Sequence, residues 1–210
     1  MSKQRAVLGV SKGFTIVELL IVIVVIGILA AITIVSFSGV QQRARNASIT
    51  SMVSTYEHAL AAYAAENSKY PDFFGAVCIG EGYDNFDSTP GGDCGDVSKP
   101  GEIVHENAAF NTQMKTVITT LPKVSSFTVP TTFSAADPWV GATLTNWSGF
   151  IVDGTPRPYF IKYTLFGENQ NCGLQAVNGD GFPNVASTNP AGNFTWSAGS
   201  TTCIIALPNV

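Results

Sequence analysis

The chain has 210 residues, of which 11 are basic and 15 acidic, for a net charge of -4. With no basic stripe to neutralise phosphates, direct nucleic-acid binding is not expected. Once a short leader and a long N-terminal helix are set aside, about 140 residues remain, enough for one globular domain with a buried core.

The first element is the basic segment MSKQRAVLGVSKG, residues 1–13, which ends in Lys12-Gly13. Phe14 to Val35 follows as an apolar run, FTIVELLIVIVVIGILAAITIV, with one charge, Glu18. A run this long can cross a bilayer as a helix. A carboxylate inside it is costly without a partner and marks a functional site. An ordinary secretory signal has an apolar core of about 7–15 residues with a small-residue cleavage site after it. Here the run is longer and the small residue precedes it. Lys3, Arg5 and Lys12 lie before the run and Arg43 and Arg45 after it, a margin that favours a cytoplasmic leader. Gly27 and Ala31, with Ala30 beside them, form a small-xxx-small pair. It either lets helices approach closely or reflects the ordinary composition of spanning helices.

The helical signal continues past the run. Ile49, Met52, Val53, Tyr56, Leu60 and Tyr63 form one apolar stripe at helical period, with Gln41, Gln42, Arg43, Arg45, Glu57 and Glu66 as polar surface. Tyr70-Pro71 ends it, because proline disfavours helix in the residue before it. The expected layout is a leader at 1–13, a transmembrane and assembly helix at 14–36, its amphipathic continuation at 37–69, and a head domain at 70–210.

In the head, residues 72–105 read as a long irregular loop. A second helix is expected from Ala108 to Thr120, with Phe110, Met114, Val117, Ile118 and Leu121 on one face and Pro122 as its stop. Strands are expected at Gly149–Asp153, Tyr159–Phe166, Gly173–Val177 and Thr202–Leu207, the first two joined as a hairpin through residues 154–158. The sum is an α+β fold, a long helix packed on a small antiparallel sheet. Cys78, Cys94, Cys172 and Cys203 all follow the apolar run, and an even count in a secreted domain suggests disulfides. Three connectivities are possible. Cys78–Cys94 with Cys172–Cys203 is favoured, because each pair closes a loop within one half of the head. No CxxC spacing occurs, so no zinc site is expected.

No catalytic spacing stands out. His58 is expected on the polar side of the long helix and His105 in a loop. There is no GxSxG, HExxH or phosphate loop, and no cofactor, metal or enzyme activity is expected. Asn178-Gly179-Asp180-Gly181 reads as a turn or as a fragment of a calcium loop without the distal glutamate. Asp84, Asp87, Asp93 and Asp96 read as solvated loop charge or an acidic rim. Asn46, Asn146 and Asn193 each begin a glycosylation sequon.

The junction Lys12-Gly13-Phe14-Thr15-Ile16-Val17-Glu18-Leu19-Leu20 resembles the processing site of the type IV pilins and the related pseudopilins, and the resemblance extends over roughly residues 1–70. It implies a cut between Gly13 and Phe14 by a membrane-embedded prepilin peptidase and N-methylation of Phe14. Loss of Lys3, Arg5 and Lys12 then leaves 8 basic residues against 15 acidic, a net charge of -7. It further implies self-assembly into a helical filament through the apolar helix, with an assembly ATPase and a platform protein as partners. The subunit would rest in membrane lipid, single-pass with its C-terminal domain outside, before entering an extracellular filament or pseudopilus for adhesion, motility, DNA uptake or secretion. Val35 stands where many members of the family have a proline. Glu18 would pair with the cationic amine that the cut creates, either its own or a neighbouring subunit's; the resemblance implies the neighbour's. A minor pilin that primes or tips a filament, and a signal-anchored extracellular binding domain that never polymerises, are the alternatives.

Overall fold

A computed structural model describes residues 14–85, 91–96, 103–123, 139–152, 155–167, 170–172, 193–194 and 200–210, without the side chains of 33–38, 96, 139–140, 193–194 and 200. The chain divides into two compact units, Met1–Gln41 and Gln42–Val210. Helix α1 (Ile16–Asn67) supplies all the described structure of the first unit beyond Phe14 and Thr15, and the opening element of the second.

In the first unit, every residue from Phe14 to Ile32 is exposed. Ile16 is 84% exposed and Val25, the most covered of the large aliphatics, still 48%. Ile and Val are indifferent helix formers in water. A helix apolar on every side stands where its surroundings are apolar too. Among the described residues no helix is long and apolar enough to cross a membrane. The run continues in sequence to Val35, but the side chains at 33–38 lie outside the described residues.

In the second unit the stripe foreseen from sequence is the core face of α1. Ile49, Met52, Val53, Tyr56, Leu60 and Tyr63 are all buried. α1 stops where Ser68 turns to φ 55°, its N–H still bonded to the Ala64 carbonyl at 2.8 Å, an αL termination of the kind glycine usually supplies. The chain continues through β1 (Ala76–Cys78), β2 (Asp93–Asp96), β3 (Ile103–His105), α2 (Ala108–Met114), β4 (Trp139–Val140), β5 (Ala142–Asn146), β6 (Ile151–Val152), β7 (Thr155–Pro156), β8 (Tyr159–Phe166), β9 (Asn193–Phe194) and β10 (Ser200–Ala206).

Five strands form one antiparallel sheet in the order β1-β5-β8-β10-β9. Alternation along β8 sends Ile161, Tyr163 and Leu165 into the same core as α1, opposite Leu144 of β5 and Cys203 and Ile205 of β10. Phe160 and Ile204 face the other way, under Phe150 and Val152. Two smaller sheets, β3-β2-β4 and β6-β7, accompany it among the described residues. The α+β layout expected from sequence is the one observed.

Three expectations are corrected. Residues 72–105 are not all loop: they hold β1, β2 and β3, each of three or four residues, too short to show a period. α2 ends at Met114, six residues early. Asn107 caps its start, its Oδ1 accepting from the N–H groups of Ala109 and Phe110, and bonds such as Thr116 N–H to Gln113 O tighten the chain beyond it. The described residues 149–152 of the expected first strand do not pair with β8. They contribute β6, which closes on β7, while β8 takes β5 and β10 as neighbours. β5, missed from sequence, opens directly after Gly141 at φ 65°, where any Cβ would overlap the Tyr83 ring. The expected strand at 173–177 lies outside the described residues, as does the leader.

Candidate assembly segment

α1 opens with a reciprocal capping box. Thr15 is the N-cap, and its Oγ1 accepts from the Glu18 N–H at 3.2 Å. Glu18 reaches back, its Oε2 accepting from the Thr15 N–H and from the Thr15 hydroxyl, both at 2.8 Å. The sequence signature is Thr15-x-x-Glu18 before an apolar run. Reading Glu18 only as a charge in search of a counter-charge missed this local partner. Oε2 takes both Thr15 donors, and among the described residues Oε1 has no partner. The carboxylate also sits in the first helical turn, where the helix dipole favours negative charge. Gly27 meets nothing within 4 Å of an added Cβ, so its face of the helix is open.

At the start of the second unit, Asn46 behaves as a peptide group. Its Oδ1 accepts from the Phe166 N–H at 2.8 Å and its Nδ2 donates to the Phe166 carbonyl at 3.0 Å. Gln42 Nε2 donates to the same carbonyl, and the Arg45 guanidinium lies 5.5 Å from the centre of the Phe166 ring. The end of β8 is thereby fastened to α1.

Both disulfides, Cys78–Cys94 and Cys172–Cys203, are formed. The first joins β1 to β2; the second ties residue 172 to β10. His58 is exposed on α1. His105 lies in β3 rather than in a loop, its Nδ1 2.7 Å from Asp93 Oδ1. Asp93 is fully buried and so belongs to no acidic rim. Asp84 is exposed, Asp87 lies outside the described residues, and Asp96 is described only in its backbone. Residues 178–181 lie outside as well. Of the sequon asparagines, Asn46 is committed to Phe166, and Asn146 donates to the Tyr159 hydroxyl at 3.3 Å. Among the described residues no group of His, Cys, Asp and Glu is arranged to hold a metal ion.

The prokaryotic N-terminal methylation motif matches residues 9–34. Type II secretion system core protein G of Klebsiella michiganensis is 37% identical over 60 residues, 29% of this chain and 42% of that protein. Its counterpart in Aeromonas hydrophila is 36% identical over 71 residues, 34% of this chain and 46% of that protein. Type IV major pilin protein PilA of Myxococcus xanthus is 33% identical over 88 residues, 40% of each chain. The chain thus spans less than half the length of these curated relatives. No solved structure matches it. The motif and these relatives together support the type IV pilin and pseudopilin family for the chain, through its N-terminal segment.

Proposed function

We propose that this protein is a structural subunit of a type IV pilus or a type II secretion pseudopilus, cut after Gly13 by a prepilin peptidase, N-methylated at Phe14 and polymerised through its apolar helix. One observation carries the reading: within the matched residues 9–34, a helix exposed and apolar on all sides begins at a box built on its single carboxylate. Phe14–Val35 would hold the subunit in lipid, with the leader in the cytoplasm and the C-terminal unit outside. Assembly would then exchange lipid contacts for helix–helix contacts. The chain has no GxxxxGK[ST] loop, so the work of extraction falls to a separate ATPase acting through a platform protein.

Glu18 has two tasks in this scheme. Its Oε2 closes the capping box, which fixes the carboxylate's orientation. Its Oε1 accepts the methylated amine of an arriving neighbour and sets the axial register. The cut leaves the Phe14–Thr15 amide intact, so the box survives processing.

Mass spectrometry of the mature N-terminus, together with imaging of sheared surface material from cells with and without the gene, tests the proposal. A chain beginning at methylated Phe14, and fibres that vanish with the gene, are expected. A chain that keeps residues 1–13 within fibres, or one cut after the apolar run, refutes it. Glu18→Ala should still insert in the membrane while fibre number falls at least tenfold by electron microscopy, about what losing one charge-assisted contact does to each addition step.

A further inference from the structure

Beside β1 and β3 the second unit has a groove of about 480 Å³, lined by Phe74, Gly75, Ala76, Ile103, Val104, His105, Glu106 and Asn107. That volume falls within the range of small-ligand sites. Its walls are of two kinds. One is Phe74, 99% exposed, although its neighbour Phe73 packs edge-on against Phe110 and Tyr159. Gly75, at φ 67°, turns the chain directly after it.

The lining also includes two polar side chains, each held by one atom and open at the other. Glu106 Oε1 accepts from the N–H groups of Gly82 at 2.8 Å and Tyr83 at 2.9 Å. Asn107 spends its Oδ1 on the cap of α2. Among the described residues, Glu106 Oε2 and Asn107 Nδ2 have no partner. The groove therefore offers an aromatic face, one anionic acceptor and one neutral amide donor, the two polar groups already oriented by their bonded atoms. His105 completes the wall, its ring fixed by the buried Asp93.

The chemistry of these groups selects the ligand. A cation would satisfy Glu106 but meet the Asn107 amide by its hydrogens, the positive end of a neutral dipole that can only donate. An anion would meet the Glu106 carboxylate, with Asp93 behind it. An apolar ligand would bury both polar atoms unpaired, a desolvation penalty with nothing to offset it. A neutral polyol has none of these faults, because each hydroxyl donates and accepts: one donates to Oε2 while its neighbour accepts from Nδ2. A pyranose adds a flat face of C–H groups to lie on the Phe74 ring. We infer that this groove binds a neutral saccharide, a hexopyranose unit stacked on Phe74 and hydrogen-bonded to Glu106 and Asn107. The inference stands apart from the filament reading, since it uses no residue of the first unit.

The test uses the full chain in an ethylene-glycol ether detergent, because glycoside detergents would compete. Methyl hexopyranosides of gluco, galacto and manno configuration, and tetramethylammonium chloride as the cationic probe, are offered up to about 50 mM and followed by saturation-transfer NMR. At least one hexopyranoside should bind with Kd on the order of 1–10 mM, with transfer strongest at the ring C–H protons. Phe74→Ala should weaken it about five- to tenfold without moving the melting temperature, since an exposed ring supports nothing else. Glu106→Gln, which keeps an oxygen for the Gly82 and Tyr83 amides, should weaken it by a similar factor. Three outcomes overturn the inference: no hexopyranoside binds, Phe74→Ala leaves sugar binding unchanged, or only tetramethylammonium binds in a Phe74-dependent way. If Glu106→Gln does not fold, Phe74→Ala decides alone.

Discussion

Single side chains do the work of backbone groups at several places among the described residues, two of them on α1. At the start of α1, Thr15 and Glu18 exchange hydrogen bonds that the first helical turn has no intrahelical partner to make. Thr15→Val should loosen only that turn, so amide exchange at Val17, Glu18 and Leu19 should quicken roughly fivefold while the rest of α1 is unchanged. At the end of β8, Asn46 completes the hydrogen bonding of Phe166 as a neighbouring strand would. Asn46→Asp replaces the donor facing the Phe166 carbonyl with a second acceptor. Chemical denaturation in detergent should show a loss of about 1–3 kcal/mol. The two sites were unequally legible in the sequence. Thr15-x-x-Glu18 is a local pattern that can be read directly, although the cost of a charge in an apolar run drew attention to a distant counter-ion instead. The Asn46–Phe166 contact joins residues 120 apart and has no local signature.

Among the elements, those with a period were visible and those without one were not. The α1 stripe could be traced to Tyr63 because six apolar positions recur at helical spacing. β8 and β10 were long enough to show themselves. β1, β2 and β3 were missed because three or four residues cannot display alternation, and their pairing rests on covalent and long-range contacts. Sulfur chemistry substitutes for length there: Cys78–Cys94 joins β1 to β2, and all four cysteines are buried. The disulfides close sequence separations of 16 and 31. Replacing Cys78 and Cys94 by serine should cost about 3 kcal/mol, and replacing Cys172 and Cys203 about 4 kcal/mol, in denaturant unfolding with the slope fitted for each variant, because the unfolded chain expands once the link is gone. Fragmentary sheets held by sulfur of this kind suit an oxidising compartment.

Taken whole, the second unit is closed by its C-terminal residues. The Tyr70 hydroxyl donates to the Pro208 carbonyl at 2.7 Å, the Leu207 N–H to Tyr159 O at 2.9 Å, and Asn209 Nδ2 to Pro156 O at 3.0 Å. Burial pushes the Tyr70 hydroxyl up to about 12, and burial does the same for Tyr56; Tyr83 and Tyr163 are raised as well. A phenol is neutral when protonated, so these raised values favour the fold at every pH below the unfolded value of about 10. The contribution is lost as pH climbs from 10 through 12. Stability should therefore stay level with respect to tyrosine ionisation up to about pH 10 and fall steeply beyond it, followed by near-ultraviolet absorbance of tyrosinate alongside circular dichroism. Tyr70→Phe should flatten part of that fall. At the opposite end of the sequence, the capping box bears on the proposed maturation. Thr15, not Phe14, opens the described helix, so the proposed cut between Gly13 and Phe14 would fall outside its first hydrogen-bonded turn. A peptidase working there would hydrolyse one amide and leave the Thr15–Glu18 bonds in place, so the mature chain would keep the helical register that those bonds set.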